Sequence, residues 1–288
     1  MGADCAYKRH GGFTLIELSI VLVVIGLIVG GVLVGQSLIN AAAVRAQITQ
    51  IEKYNTAVNT FREKYGGIPG DLTVNLANQF GFIVPTSGAG NRGCRDGNGL
   101  LDGGAGNETL AALMGENALF WMDLSQAGFV DITPLTGGST WDSYTTVASG
   151  VCSFSTWATN PGTYIPPGKI GYGTYLHVYE VSGYNWFQLA KIAGFNSSGS
   201  IVQGSPTIPV IQAYSLDQKV DDGIPNTGRV QAVYINGSQS STTLAPNAAI
   251  DNATTCYNTA TMIAAYSITY NGGNGANCAL SFRFQAGD

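Results

Sequence analysis

The sequence predicts an α+β chain: a long amino-terminal α-helix, membrane-spanning in its first half, packed on an antiparallel β-sheet. Three observations carry this. An apolar run near the amino terminus leads directly into a stripe of apolar residues at helical spacing. Five runs in the second half alternate in polarity or are rich in β-branched and aromatic residues. Two further stretches with helical periodicity lie before and among those runs.

Residues 1–12 form a short basic leader that ends in Lys8-Arg9-His10-Gly11-Gly12. Phe13-Thr14-Leu15-Ile16-Glu17-Leu18 follows, and no Asp, Glu, Lys or Arg occurs from Leu18 to Val44. About 20 apolar residues cross a bilayer core. Lys8 and Arg9 ahead of the run favour a cytoplasmic leader and an exported carboxyl end. Glu17 places a carboxylate inside hydrocarbon, where an ionised group is costly and calls for a partner. No other charge in the run supplies one. A secretory signal is cut after its apolar stretch, whereas here the glycine pair precedes it. A plain anchor explains the run but not Glu17. Gly26, Gly30, Gly31 and Gly35 give two G-x-x-x-G spacings. They read either as close helix approach or as the ordinary glycine content of membrane helices.

Val44, Ile48, Ile51, Tyr54, Val58, Phe61 and Tyr65 continue the helix as one apolar stripe, with Arg45, Gln47, Glu52, Lys53, Arg62 and Glu63 off it. Gly66-Gly67 and Pro69-Gly70 stop it. The stripe is expected to dock against the exported domain. Residues 86–107 read as a long glycine-rich surface loop, and Asn107 to Ala127 as an amphipathic helix ending at Gly128. Strands are expected at Thr174–Val181, Tyr184–Ala190, Arg229–Ile235, Met262–Tyr270 and Ala279–Gln285. A short helix is expected over Thr207–Lys219, with Pro209 in its first turn. The organisation is a leader at 1–12, a transmembrane and assembly helix at 13–65 and an exported domain at 66–288.

Lys8-Arg9-His10-Gly11-Gly12 followed by Phe13-Thr14-Leu15-Ile16-Glu17-Leu18 resembles the prepilin processing site of type IV pilins and type II secretion pseudopilins. The resemblance implies a peptidase that cuts after Gly12 and methylates the new terminus at Phe13, with Glu17 as the assembly glutamate. It implies partners as well: other copies or related pilins in a helical filament, the prepilin peptidase, the inner-membrane assembly platform and, before assembly, the membrane. The implied location is the bacterial inner membrane for the precursor, then a surface filament or a periplasm-spanning pseudopilus.

Composition agrees with an exported, β-rich body. Only 11% of residues are charged, and the formal charge is −5. Removal of Asp4, Lys8 and Arg9 with the leader leaves 11 basic and 17 acidic side chains, or −6. That balance gives no support for nucleic-acid binding. Cys5 lies in the leader; Cys94, Cys152, Cys256 and Cys278 remain, an even number suited to an oxidising space. Four cysteines allow three pairings. The shortest loops favour Cys94 with Cys152 and Cys256 with Cys278.

Two acidic turns are candidates for calcium, the only cofactor the sequence suggests. Asp96, Asn98 and Asp102 place oxygen side chains in a glycine-rich loop, and Asp217, Asp221 and Asp222 do so at a helix end. The competing reading is a set of Asx turns that bond nearby backbone. The two aspartates at the helix end also oppose its dipole and invite a cation or an arginine. Catalysis finds no support: the mature chain has one histidine, His177, inside an apolar-aromatic strand, and no nucleophile elbow or phosphate loop. Tyr164, Tyr172, Tyr175, Tyr179, Tyr184, Trp186 and Phe187 read first as sheet core, with a ligand face or subunit packing as alternatives.

The expected function is therefore a non-enzymatic filament subunit whose Glu17 pairs with a neighbour's Phe13 amine. The alternative is a minor tip pilin or secretion pseudopilin with a ligand-binding exported domain.

Overall fold

A computed structural model describes residues 12–84, 90, 93–103, 115–130, 161–163, 165–195, 201–202, 204–236, 243–249, 251–260 and 262–284. The leader before Gly12, Cys152, Tyr164 and the first part of the expected 107–127 helix lie outside these residues. The chain divides into two units, residues 1–42 and 43–288.

In the first unit the chain enters helix α1, which runs from Leu15 to Tyr65. Its apolar portion is long enough to cross a membrane, and its side chains there are exposed.

In the second unit the α1 stripe is buried as expected. Val44, Ile51, Tyr54, Val58, Phe61 and Tyr65 all join the main core. One expectation fails: Gln47, placed off the stripe, is fully buried. Its Oε1 accepts the Ile170 amide at 3.0 Å, while Gln50 accepts the Lys169 amide and donates to the Pro167 carbonyl. These glutamines are buried because they satisfy backbone groups of the 166–170 loop, more than 110 positions away.

Helix α2, Val74–Phe80, was not anticipated. Thr73 caps its start through Leu76 N, and Gly81 ends it in the left-handed conformation. Helix α3, Gly115–Gln126, is the described part of the expected 107–127 helix. Helix α4 spans Val210–Val220. Its start corrects the expected 207 boundary: Ile208–Pro209 pairs with Ala276–Cys278 as a short ladder, so Pro209 precedes the helix.

Strands β1, Thr174–Val181, and β2, Tyr184–Lys191, form a hairpin in the expected place. Its two-residue turn, Ser182-Gly183, has φ of 55° and 80°, the twist that closes tight hairpins. The Leu280–Arg283 strand pairs with β2, and Val230–Gln231 pairs with it in turn, giving one antiparallel four-stranded sheet. The 229–235 run is broken at Ala232, because Val233–Tyr234 leaves to pair with Thr243–Leu244. The expected strand at 262–270 shrinks to Ala265–Tyr266, followed by a 3-10 turn at Tyr270–Gly273.

Leu176, Val178, Phe187, Leu189, Leu280 and Phe282 share one sheet face through their registers and enter the main core. There α3 meets α1: Tyr54 contacts Trp121 edge-on at 4.9 Å, and Phe120 lies 6.0 Å from Phe187. The opposite face is covered by residues 233–235. Gln188 accepts the Ile235 amide, and Ser281 donates to the Val233 carbonyl at 2.9 Å. Tyr179, Trp186 and Phe187 are core residues, as expected, whereas Tyr172 and Tyr184 are exposed.

Candidate functional site

The amino-terminal site is built at the first turn of α1. Thr14 is the last residue before the helix, and Glu17 stands in its first turn. The Thr14 amide donates to Glu17 Oε2 at 2.7 Å, and the Thr14 hydroxyl donates to the same oxygen at 2.8 Å. In return the Glu17 amide donates to Thr14 Oγ1 at 3.3 Å. This reciprocal arrangement is a capping box, which satisfies amides that the first helical turn leaves bare. The partner of Glu17 within the chain is therefore a neutral neighbour, Thr14, and not a charged group. The signal was available, since Thr14-Leu15-Ile16-Glu17 has the S/T-x-x-E spacing.

Phe13 is 82% exposed. Gly12 lies outside any helix, and a Cβ built on it would meet nothing within 4 Å. Gly12 and Phe13 are thus both exposed and outside any helix, just ahead of a capped helix. A hydrolase needs that backbone accessible and unpaired. The glycine also leaves room for close approach.

The acidic loops are organised differently. Asp96 comes together with Asp71 and Glu116, each offering a carboxylate oxygen within 4.8 Å of the others. Neither Asp71 nor Glu116 was anticipated, because they arrive from 25 positions before and 20 after. Asp71 takes the Gly97 and Gly99 amides at 2.7 and 2.6 Å. Glu116 takes the Arg95 and Asp102 amides at 2.7 and 3.0 Å. Asn98 bridges Asp96 and Asp102. Beside them Arg95 makes a buried bidentate pair with Asp123, at 2.9 and 2.7 Å. Burial pushes the Asp71 carboxyl up to about 7, against the pull of the Gly99 and Gly97 amides. Burial, then the nearby Asp71 charge, raises Glu116 as well.

Asp217, Asp221 and Asp222 also converge within 4.8 Å. Asp221 caps the end of α4 and accepts the Arg229 and Val230 amides. Asp222 holds the Ile224 amide and the Thr227 hydroxyl. Asp217 accepts from the Tyr266 hydroxyl at 2.8 Å and the Gly223 amide at 3.2 Å. Burial raises its carboxyl to about 7. At both loops the carboxylates also accept amides or hydroxyls of the chain itself, as the Asx-turn reading expects, while their oxygens lie close enough together to offer a cation ligands.

Cys256 and Cys278 form a disulfide. Cys94 is also disulfide-bonded, and Cys152 lies outside the described residues. His177 is fully buried on the sheet face covered by 233–235, and neither ring nitrogen has a hydrogen-bond partner among the described residues. It stacks on Tyr179 at 5.8 Å. Burial pushes its pKa down to about 3, so the ring is neutral.

Residues 7–33 match the family model described as the prokaryotic N-terminal methylation motif, the prepilin-type signal of type IV pilins and pseudopilins. No curated protein and no solved structure matches the chain.

Proposed function

We propose that this chain is a structural subunit of a type IV pilus or pilus-like filament, made as a membrane precursor and matured by prepilin peptidase. The supporting observation is the methylation motif at residues 7–33 with Glu17 inside it, at the head of a helix that has no further charge up to Val44. Cleavage after Gly12 frees the amine of Phe13, whose ordinary pKa near 8 leaves it largely cationic at neutral pH.

Thr14 engages only Oε2 of Glu17. Oε1 remains for the amine of an incoming neighbour. The carboxylate can therefore keep its helix cap while it forms the intersubunit pair, and the pairing offsets the cost of a lone charge in the apolar helix bundle. In this reading the chain is not an enzyme, and its partners are related subunits, the peptidase and the inner-membrane assembly platform.

A second reading, a minor tip pilin or a secretion pseudopilin with a ligand-binding body, is favoured by a cavity of about 410 Å³ in the exported domain, lined by Arg62, Asn98, Tyr184 and Asn185 among others. Electron microscopy with an antibody to the exported domain separates the two. Label along the shaft supports a main subunit, and label confined to the filament end supports a tip subunit.

A further inference from the structure

The cavity of about 410 Å³ opens in the second unit where the end of α1, the 66–73 turn, the 97–100 loop, the β1–β2 turn and the last strand meet. Glycines keep it open: a Cβ at Gly99 or Gly183 would meet nothing within 4 Å. Its wall carries charge of both signs. Asp71 brings a carboxylate, and Asp96 and Glu116 place oxygens within 4.8 Å of it. Arg62 and Arg283 bring guanidinium groups to the same wall. Arg283 is already committed, lying over the Tyr184 ring 4.6 Å from its centroid. Arg62 is exposed at the end of α1 and has no ion pair among the described residues.

Fixed charge of both signs disfavours a charged ligand. A carboxylate or phosphate entering here meets Asp71 and its acidic neighbours, and an ammonium group meets the guanidinium groups. An alcohol hydroxyl suffers neither penalty, because it both donates and accepts. The wall keeps hydrogen-bonding capacity for such groups. Arg62 donates only. Asn185 gives one amide proton to the Gly99 carbonyl and retains the other. Each Asp71 oxygen takes one loop amide, from Gly97 or Gly99, and retains a further lone pair. Tyr184, 45% exposed, adds an aromatic surface with a hydroxyl at its tip. Ring C–H groups edged by hydroxyls, as in a sugar, match an aromatic surface ringed by donors and acceptors, and the volume lies in the range of small-ligand sites.

We propose that this cavity binds an uncharged saccharide of one or two rings, with Arg62, Asn185 and Asp71 bonding its hydroxyls and Tyr184 packing against its ring. This deepens the ligand-binding reading of the exported body by naming the ligand class. The site is separate from the amino-terminal assembly residues, and binding needs no filament.

The test is saturation-transfer NMR titration of the full-length protein, held in a detergent without a sugar head group. The probes are glucose, galactose, mannose, lactose and cellobiose, with each monosaccharide set beside its uronate and its amino-sugar form. Saturable binding of at least one uncharged sugar is expected, with its charged forms weaker or silent. Arg62→Ala should weaken that sugar at least about tenfold, since a hydrogen bond to a charged group contributes on that scale. Arg62→Lys should restore part of the loss. Tyr184→Ala, at an exposed ring, should weaken it about fivefold. The proposal is overturned if no uncharged sugar binds, or if a uronate or amino sugar binds as tightly as its uncharged parent. It is overturned equally if Arg62→Ala or Tyr184→Ala leaves affinity unchanged while melting like the parent. A negative result leaves terminal processing and assembly untouched, so the two readings fail separately.

Discussion

Thr14 and Glu17 close a reciprocal cap at the head of α1, with two donors of Thr14 converging on a single oxygen of Glu17. The carboxylate therefore has two tasks that can be pulled apart. One is to cap the helix, which any acceptor performs. The other is to carry charge, which only an ionised group performs.

Glu17→Gln should keep the cap, because the amide oxygen still accepts from Thr14. It should fail to assemble, because it cannot neutralise a neighbour's amine. Glu17→Val should lose both. Immunoblots of sheared surface material should show neither variant in filaments, while the membrane fraction retains both. Filaments of Glu17→Gln at parental abundance would refute the charge role.

Arg95 and Asp123 come together across 28 positions as a fully buried bidentate pair. Removing one partner strands the other charge. Asp123→Asn should cost about 3–5 kcal/mol, read as a lower midpoint in denaturant. The double variant Arg95→Met with Asp123→Leu should recover part of that loss.

Gly70 and Gly81 both have positive φ, 87° and 75°. A Cβ at Gly70 would lie 2.4 Å from the Glu116 carbonyl oxygen, whereas one at Gly81 meets nothing within 4 Å. Gly81→Ala should cost about 1 kcal/mol, the backbone penalty alone. Gly70→Ala should cost at least about 3 kcal/mol, since α3 must also move. Thermal melts of the two variants side by side check this.

His177 and the buried carboxylates predict opposite pH limbs. His177 is neutral when folded, with its pKa pushed to about 3, and binds a proton below its ordinary 6.5 when unfolded. Its contribution is complete above about pH 6.5 and drains away as pH falls toward 3. Asp71 and Asp217, raised from 3.8 to about 7, behave in the reverse sense. Their contribution is complete below pH 3.8 and is lost as pH rises through 7. His177→Leu should raise the melting temperature more at pH 4–5 than at pH 8. An equal shift at both pH values would show that His177 does not titrate on unfolding.

Local signals were legible in the sequence. The β1–β2 hairpin was readable because alternation and a Ser-Gly turn lie within 18 residues. The buried stripe of α1 was readable from spacing alone. Partners that arrive from far along the chain were not. Gln47 looks like a surface residue until the 170 amide is placed on it. The carboxylates of Asp71 and Glu116 have no local sign that one loop will fold onto both. The 262–270 run has strand composition, yet Asn271 and Gly272 turn the chain immediately after it. At the amino terminus the motif itself was plain, whereas the role of Thr14 was not, because a neutral hydroxyl beside a buried charge gives no electrostatic sign of its own.

The most direct test of the account is mass spectrometry of the mature amino terminus, on protein recovered from sheared surface fibres. The account predicts a chain that begins at Phe13 and carries one added methyl group. Fibre-derived protein that retains residues 1–12, or that begins elsewhere than Phe13, would contradict the account at its root.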